Sequence, residues 1–169
     1  DNHNGLYYIH NQTKEDIMNI KLNKTYKFEI KNFSFADITR EELIRNFQDG
    51  RCCSWFMEPQ ITKWFPELSR VLGNKDHDHI VRNGVKYDAK NFTKNGLVFM
   101  PSNQLGTGRK FNESVAHEKA ERLIYICCDI IDFPTIRVKF AKGPDLIRKY
   151  PKCRINKSLR EEFFNDESS

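Results

Sequence analysis

The chain has 169 residues, 38% hydrophobic and 30% charged, with a formal net charge of +5. That length fits one domain with a core of ordinary size, and the composition is that of a globular chain rather than a disordered or collagen-like one. The longest apolar run, "LIYICCDII", is interrupted by Asp129 and falls well short of the roughly 20 residues that span a bilayer.

"TYKFEI" (Thr25–Ile30) alternates and predicts a strand with Tyr26, Phe28 and Ile30 on one face. In "TREELIRNF", Thr39 and Glu42 form a capping box, Leu43, Ile44 and Phe47 make the apolar stripe, and Gly50 is expected to end the helix. "CCSWFMEPQITKWFPEL" is dense in aromatics, and Pro59 and Pro66 are expected to cut it into short pieces. Trp55, Phe56, Trp64 and Phe65 read first as core and second as a dimer contact. The five cysteines have no C-x-x-C spacing, so reduced thiols and a cytoplasmic compartment are expected.

"HDHIVRNGVKYDAKN" (His77–Asn91) follows, and Asn83-Gly84 is the strongest hairpin signal in the chain. A two-residue turn pairs Arg82 with Val85, places Asp78 opposite Ala89 and sends Asp88 to the other face. A three-residue turn, Arg82-Asn83-Gly84 with Gly84 left-handed, places Asp78 opposite Asp88 and Asp76 opposite Lys90. Directly opposed side chains lie about 5 Å apart, and Asp88 and Lys90 share a face because strands have period two. One turn therefore collects the acids and the lysine; the other scatters them. Converged, Asp78 and Asp88 could hold a hard cation such as Mg²⁺, with the Ala89 carbonyl as a further ligand and Lys90 near an attacking water. The competing expectation is a surface hairpin in which Lys90 merely pairs with Asp76 or Asp88.

Beyond the hairpin, "NFTKNGLVFMPSNQLGTGRKF" reads as a looped excursion. Asn103 and Gln104 suit adenine edges, Arg109 suits guanine or phosphate, and Lys94 and Lys110 suit phosphates. An ordinary flexible loop is the alternative. Asn112 can cap a helix "ESVAHEKAERL" with Val115, Ala116, Ala120, Leu123 and Ile124 towards one side. "IYICC" predicts a buried central strand and Asp132-Phe133-Pro134 a turn. "TIRVKF" sends Ile136, Val138 and Phe140 inward and Arg137 and Lys139 outward, and Gly143-Pro144 opens the helix "DLIRKY". Arg137 to Arg160 holds nine basic residues and one acid, Asp145, hence +8. Such a block suits a polyanion or is a solvated face. Two lesser chemistries are a histidine metal site at His77 and His79, whose side chains should point away from Asp78, and a Cys–His pair using His117.

The hairpin with its "DAK" triplet resembles the PD-(D/E)xK nuclease superfamily. Asp78 matches the first acid and Asp88 to Lys90 the second half, with closest likeness to small type II restriction endonucleases of the PvuII type. The likeness covers roughly 75–152. His77 stands where a proline is usual, and Asp88 replaces the commoner Glu. The resemblance implies an α/β (α+β) fold with a restriction-endonuclease-like mixed central sheet flanked by helices. It implies a single nuclease domain over 1–169, with 1–70 the N-terminal helical or dimerisation part and 75–152 the catalytic core. Asp78 and Asp88 would bind Mg²⁺, with Mn²⁺ as a substitute, Lys90 would assist the water, and Glu58 or Asp76 would be a further acid. The partners implied are double-stranded DNA and a second copy of the chain. A nucleic-acid-binding domain without catalysis, and a related nuclease acting on RNA or branched or repair DNA, are the alternatives.

Overall fold

The computed structural model describes residues 20–73, 77–81 and 83–168. The strand order is governed by one long parallel pairing. Strand β4 (Lys86–Phe92) lies parallel to β6 (Leu123–Asp129). A parallel pair needs a crossover, here supplied by β5 (Leu97–Val98), a 3-10 turn at Ser102–Gln104 and helix α3 (Glu113–Ala120). Strand β7 (Thr135–Lys142) returns antiparallel on β6, and β1 (Thr25–Glu29) closes that edge on β7. On the other side β3 (His79–Ile80) pairs with β4 and β2 (Ser69–Arg70) with β3. The result is a six-stranded mixed sheet in the order β1-β7-β6-β4-β3-β2, with β5 pairing separately to β8 (Arg154–Ile155). The protein is a mixed α/β fold.

Each face of the sheet has its own apolar core. On one side Tyr26, Phe28, Ile126, Cys128, Val138 and Phe140 meet Cys53, Met57, Ile61 and Phe65. Three of these, Cys53, Met57 and Ile61, belong to helix α2 (Gly50–Trp64). On the other side Phe92, Tyr125, Cys127 and Ala141 meet α3, α4 (Gly143–Lys149) and α5 (Arg160–Asn165). Layers on both faces explain why "IYICC" is apolar at nearly every position.

The Thr39/Glu42 capping box is formed and opens α1 (Arg40–Phe47). Gly50 does not end that helix. Gln48 caps it, Asp49 caps α2 by accepting from the Arg51 amide, and Gly50 is the first residue of α2. Pro59 does not cut the aromatic segment either, whereas the helix does stop just before Pro66, with Phe65 as its C-cap. Pro59 sits inside one 15-residue helix. Its missing N–H frees the carbonyl of Trp55, on the solvent side, so the helix persists. Trp55 and Phe56 are not core: they are 78% and 57% exposed, whereas Phe65 is buried and Trp64 stacks on Phe28 at 4.0 Å. In α3, Ala116 and Ala120 face inward but Val115 is exposed, while Leu123 and Ile124 already belong to β6.

Lys139 is not outward in any solvated sense. It is 4% exposed, because α5 covers that face, and its ammonium donates to the Phe163 and Asp166 carbonyls. Arg137 and Arg160 both reach the buried Asp129 carboxylate, at 2.8 and 2.9 Å, and bond further to Glu161 and Asp132 respectively. Lys149 and Lys152 pair with Glu162 and Glu113. Much of the basic block is thus neutralised within the fold.

Gly143 shows how closely the layers meet. A Cβ there would lie 1.7 Å from the Ala120 carbonyl oxygen, a backbone atom that cannot yield cheaply. Gly143→Ala is expected to cost at least about 3 kcal/mol in urea denaturation, through displacement of α4 from α3.

Candidate active site

The turn decides the site, and it is the three-position form. His79 pairs with Tyr87 and Ile80 with Lys86. The Val81 amide donates to the Val85 carbonyl, so three positions lie between them. Gly84 has φ +80°, the left-handed conformation glycine adopts without strain. The Asn83 side chain accepts from the Val85 amide and steadies the turn.

At Asp78 the ladder changes character. Its amide donates to the Tyr87 carbonyl, one residue out of the β3 register. The Ala89 amide then finds no carbonyl on this strand and donates instead to Asp78 Oδ2, at 2.9 Å. The carboxylate therefore replaces a backbone acceptor, which fixes its position beside Asp88. Ala89 meets the pair through its amide, and in a strand the carbonyl of the same residue points to the same side.

Asp88 is 6% exposed, and its Oδ2 has no hydrogen-bond partner, although Lys90 Nζ stands 3.2 Å away as an ion pair. The Asp78 carboxyl is pushed up to about 7, first by burial and then by the Asp88 charge, with Glu58 adding to the rise and the Ala89 amide opposing it. Two carboxylates forced together out of water behave in this way. Asp76, the other candidate acid, lies outside the described residues.

Glu58, on α2, is within electrostatic reach of both Asp78 and His79, and its own carboxylate pairs with Arg70 at 3.3 Å. The tie between helix and hairpin is His79, which the sequence offered as a metal-ligand candidate rather than as a strut. His79 is fully buried, and its Nε2 lies 3.0 Å from the Glu58 carbonyl oxygen. A carbonyl only accepts, so Nε2 carries the proton. Burial holds this imidazole below the usual histidine range, so it stays neutral. Alternation had indicated its direction, since His79 and Asp78 must point to opposite faces.

The DNA-contact candidates scatter. Lys94 is exposed in the turn after β4. It shares a cleft with Lys90. Asn103 lines a separate groove with Lys86. Gln104 is not free to read a base: it is buried, and its Oε1 accepts from the Asn112 amide at 2.9 Å. Arg109 is exposed but donates to the Ser102 carbonyl at 2.8 Å, and Lys110 is exposed. Cys–His chemistry finds no support: burial pushes Cys53 and Cys127 up to about 12, and His117 Nε2 lies against the Pro151 carbonyl.

Among the described residues no group of three or more His, Cys, Asp or Glu side chains is placed to hold a metal ion. None of their helices is long and apolar enough to cross a membrane. Compared with family models, with curated proteins and with solved structures, the chain matches none of them.

Proposed function

We propose that the protein is a Mg²⁺-dependent endonuclease of the PD-(D/E)xK kind, hydrolysing phosphodiester bonds of double-stranded DNA. The observation that carries this reading is the apposition of Asp78 and Asp88 with Lys90 Nζ 3.2 Å from Asp88. A hairpin of merely solvated charges would turn them outward; here Asp88 is buried and its Oδ2 lacks a hydrogen bond.

The donor set suits a hard cation. Two carboxylates are few for an all-protein cage, but Mg²⁺ is commonly held by one or two carboxylates with water and substrate phosphate completing its shell. Asp78 and Asp88 would hold it, and Mn²⁺ would substitute. Bound there, the ion would supply Lewis acidity towards a phosphodiester oxygen. The protein's own share is positional. The Ala89 amide aims Asp78, the His79–Glu58 contact locks the hairpin on α2, and Lys90 presents its ammonium where a water proton or phosphate charge must be managed.

A duplex carries two strands related by a two-fold axis, so symmetric cutting calls for two copies of the chain. Trp55 and Phe56 offer exposed apolar surface on α2 for that contact. The five thiols are unpaired, which suits a reducing cytoplasm.

Incubation of sequenced plasmid DNA with the protein and Mg²⁺ tests the reading. Cleavage that EDTA stops and Asp88→Asn abolishes is expected, with discrete fragments indicating sequence-specific cutting. Duplex binding with no cleavage in any divalent cation would favour a non-catalytic binding domain.

A further inference from the structure

A cleft of about 600 Å³ between the first turn of α2 and the turn that follows β4 is lined by Lys90, the lysine that pairs with Asp88. Ala89 and Lys90 line it on β4. It is also lined by Arg51, Ser54, Asn91, Lys94 and Asn95. Three cations, Arg51, Lys90 and Lys94, face it against one lining acid, Asp49. Arg51 is almost wholly exposed and only loosely paired, 3.6 Å from Asp49, while Lys94 is exposed at the turn. The walls are held rather than mobile. Asn91 Nδ2 donates both to the Gly50 carbonyl (3.1 Å) and to Ser54 Oγ (3.0 Å), stapling β4 to the start of α2. Gly50 keeps that junction close, since a Cβ there would meet Thr93 Cγ2 at 3.1 Å.

We propose that this cleft carries the backbone of the cleaved strand away from the carboxylate pair, with Arg51 and Lys94 each neutralising a phosphate. The inference rests on the nuclease reading above and moves the main DNA contact away from the 102–110 loop. Charge complementarity supports it, since phosphates are the dominant source of nucleic-acid affinity. Continuity supports it further, because Lys90 belongs to the site and to the cleft alike. The rival groove by Asn103 matches the charge count, with Lys86, Lys119 and Arg122 against Glu118, but it lacks Lys90, and its Arg122 is bonded to Glu118 at 2.9 Å, closer than Arg51 is to Asp49.

The test uses a fluorescein-labelled 20-base-pair duplex, its binding followed by anisotropy without divalent metal. Arg51→Ala/Lys94→Ala is expected to weaken affinity at least about tenfold. It should also make the slope of log K against log salt shallower by about 2, one per lost phosphate contact. The melting temperature should stay within a degree or two of wild type. Asn103→Ala/Lys110→Ala should change affinity less than about threefold. The inference is overturned if the cleft variant binds like wild type, or if the loop variant is the one that loses binding. Hydrolysis of bis(4-nitrophenyl) phosphate by the wild type separates the two readings. A protein that cleaves this small diester but does not bind duplex refutes the cleft and keeps the site. One that binds duplex through Arg51 and Lys94 but cleaves neither substrate supports the cleft and refutes catalysis.

Discussion

Lys90→Ala is expected to lower Mg²⁺-dependent DNA cleavage at least about 100-fold, the lower end of what a positioned acid–base group contributes. Binding of the cation should survive, because Asp78 and Asp88 are untouched; a melting-temperature rise on adding Mg²⁺ would read this directly. The metal-free protein should lose stability, since Asp88 is 6% exposed and Lys90 is the cation paired with it. Lys90→Arg separates two roles. A guanidinium keeps the positive charge but does not give up its proton in proteins. If Lys90 handles a proton, Arg should stay within about tenfold of the Ala variant; if it only neutralises charge, Arg should restore most of the rate. Wild-type cleavage by Lys90→Ala would remove the lysine from the site altogether.

The hairpin was legible because its signals were local. Asn83-Gly84 between Val81 and Val85 announces a turn, and the aspartates follow from counting outward. The register was not decidable from these letters, since both turn lengths use Asn-Gly and only three-dimensional pairing selects one. The strands β1, β6 and β7 and the caps at Thr39 and Asn112 were likewise readable from period and spacing.

What sequence concealed was long-range. Alternation in "TIRVKF" separates two faces but cannot reveal that α5, 24 residues further on, covers the second and buries Lys139. The basic block left a polyanion site and a solvated face both open because its neutralising partners, Asp129, Asp132, Glu113 and Glu162, lie outside it. The loop amide Gln104 looked free for base recognition because its partner, the Asn112 amide, is a backbone group that carries no sequence signature. Trp55 looked like core because hydrophobicity alone does not say which face of α2 it occupies, and the stripe actually used is Cys53, Met57 and Ile61.

Asp78→Asn should invert the metal response of the fold. In the wild type the folded carboxyl is raised to about 7 from an unfolded value of 3.8, with burial and the Asp88 charge as causes. Between those values the folded chain holds a proton that the unfolded chain has released. Stability from this group is therefore greatest below about pH 4, falls as pH rises, and reaches its full deficit above about pH 7. The full shift would correspond to about 4 kcal/mol. Partial exposure of Asp78 and solvent screening bring the expected deficit to about 1–2 kcal/mol. Asn carries no charge and its side-chain oxygen can still accept from the Ala89 amide, so metal-free Asp78→Asn should melt higher than wild type at pH 8 and show a flatter profile between pH 4 and 7. Added Mg²⁺ should reverse the order. At a hundred times its dissociation constant it would stabilise the wild type by about 2.7 kcal/mol, and the variant, lacking one of two carboxylates, far less. Thermal melts at pH 5 and pH 8, each with EDTA and with Mg²⁺, read all four states. A variant that melts below wild type at pH 8 in EDTA would mean the carboxylates do not repel in the folded chain, and the apposition on which the site depends would have to be abandoned.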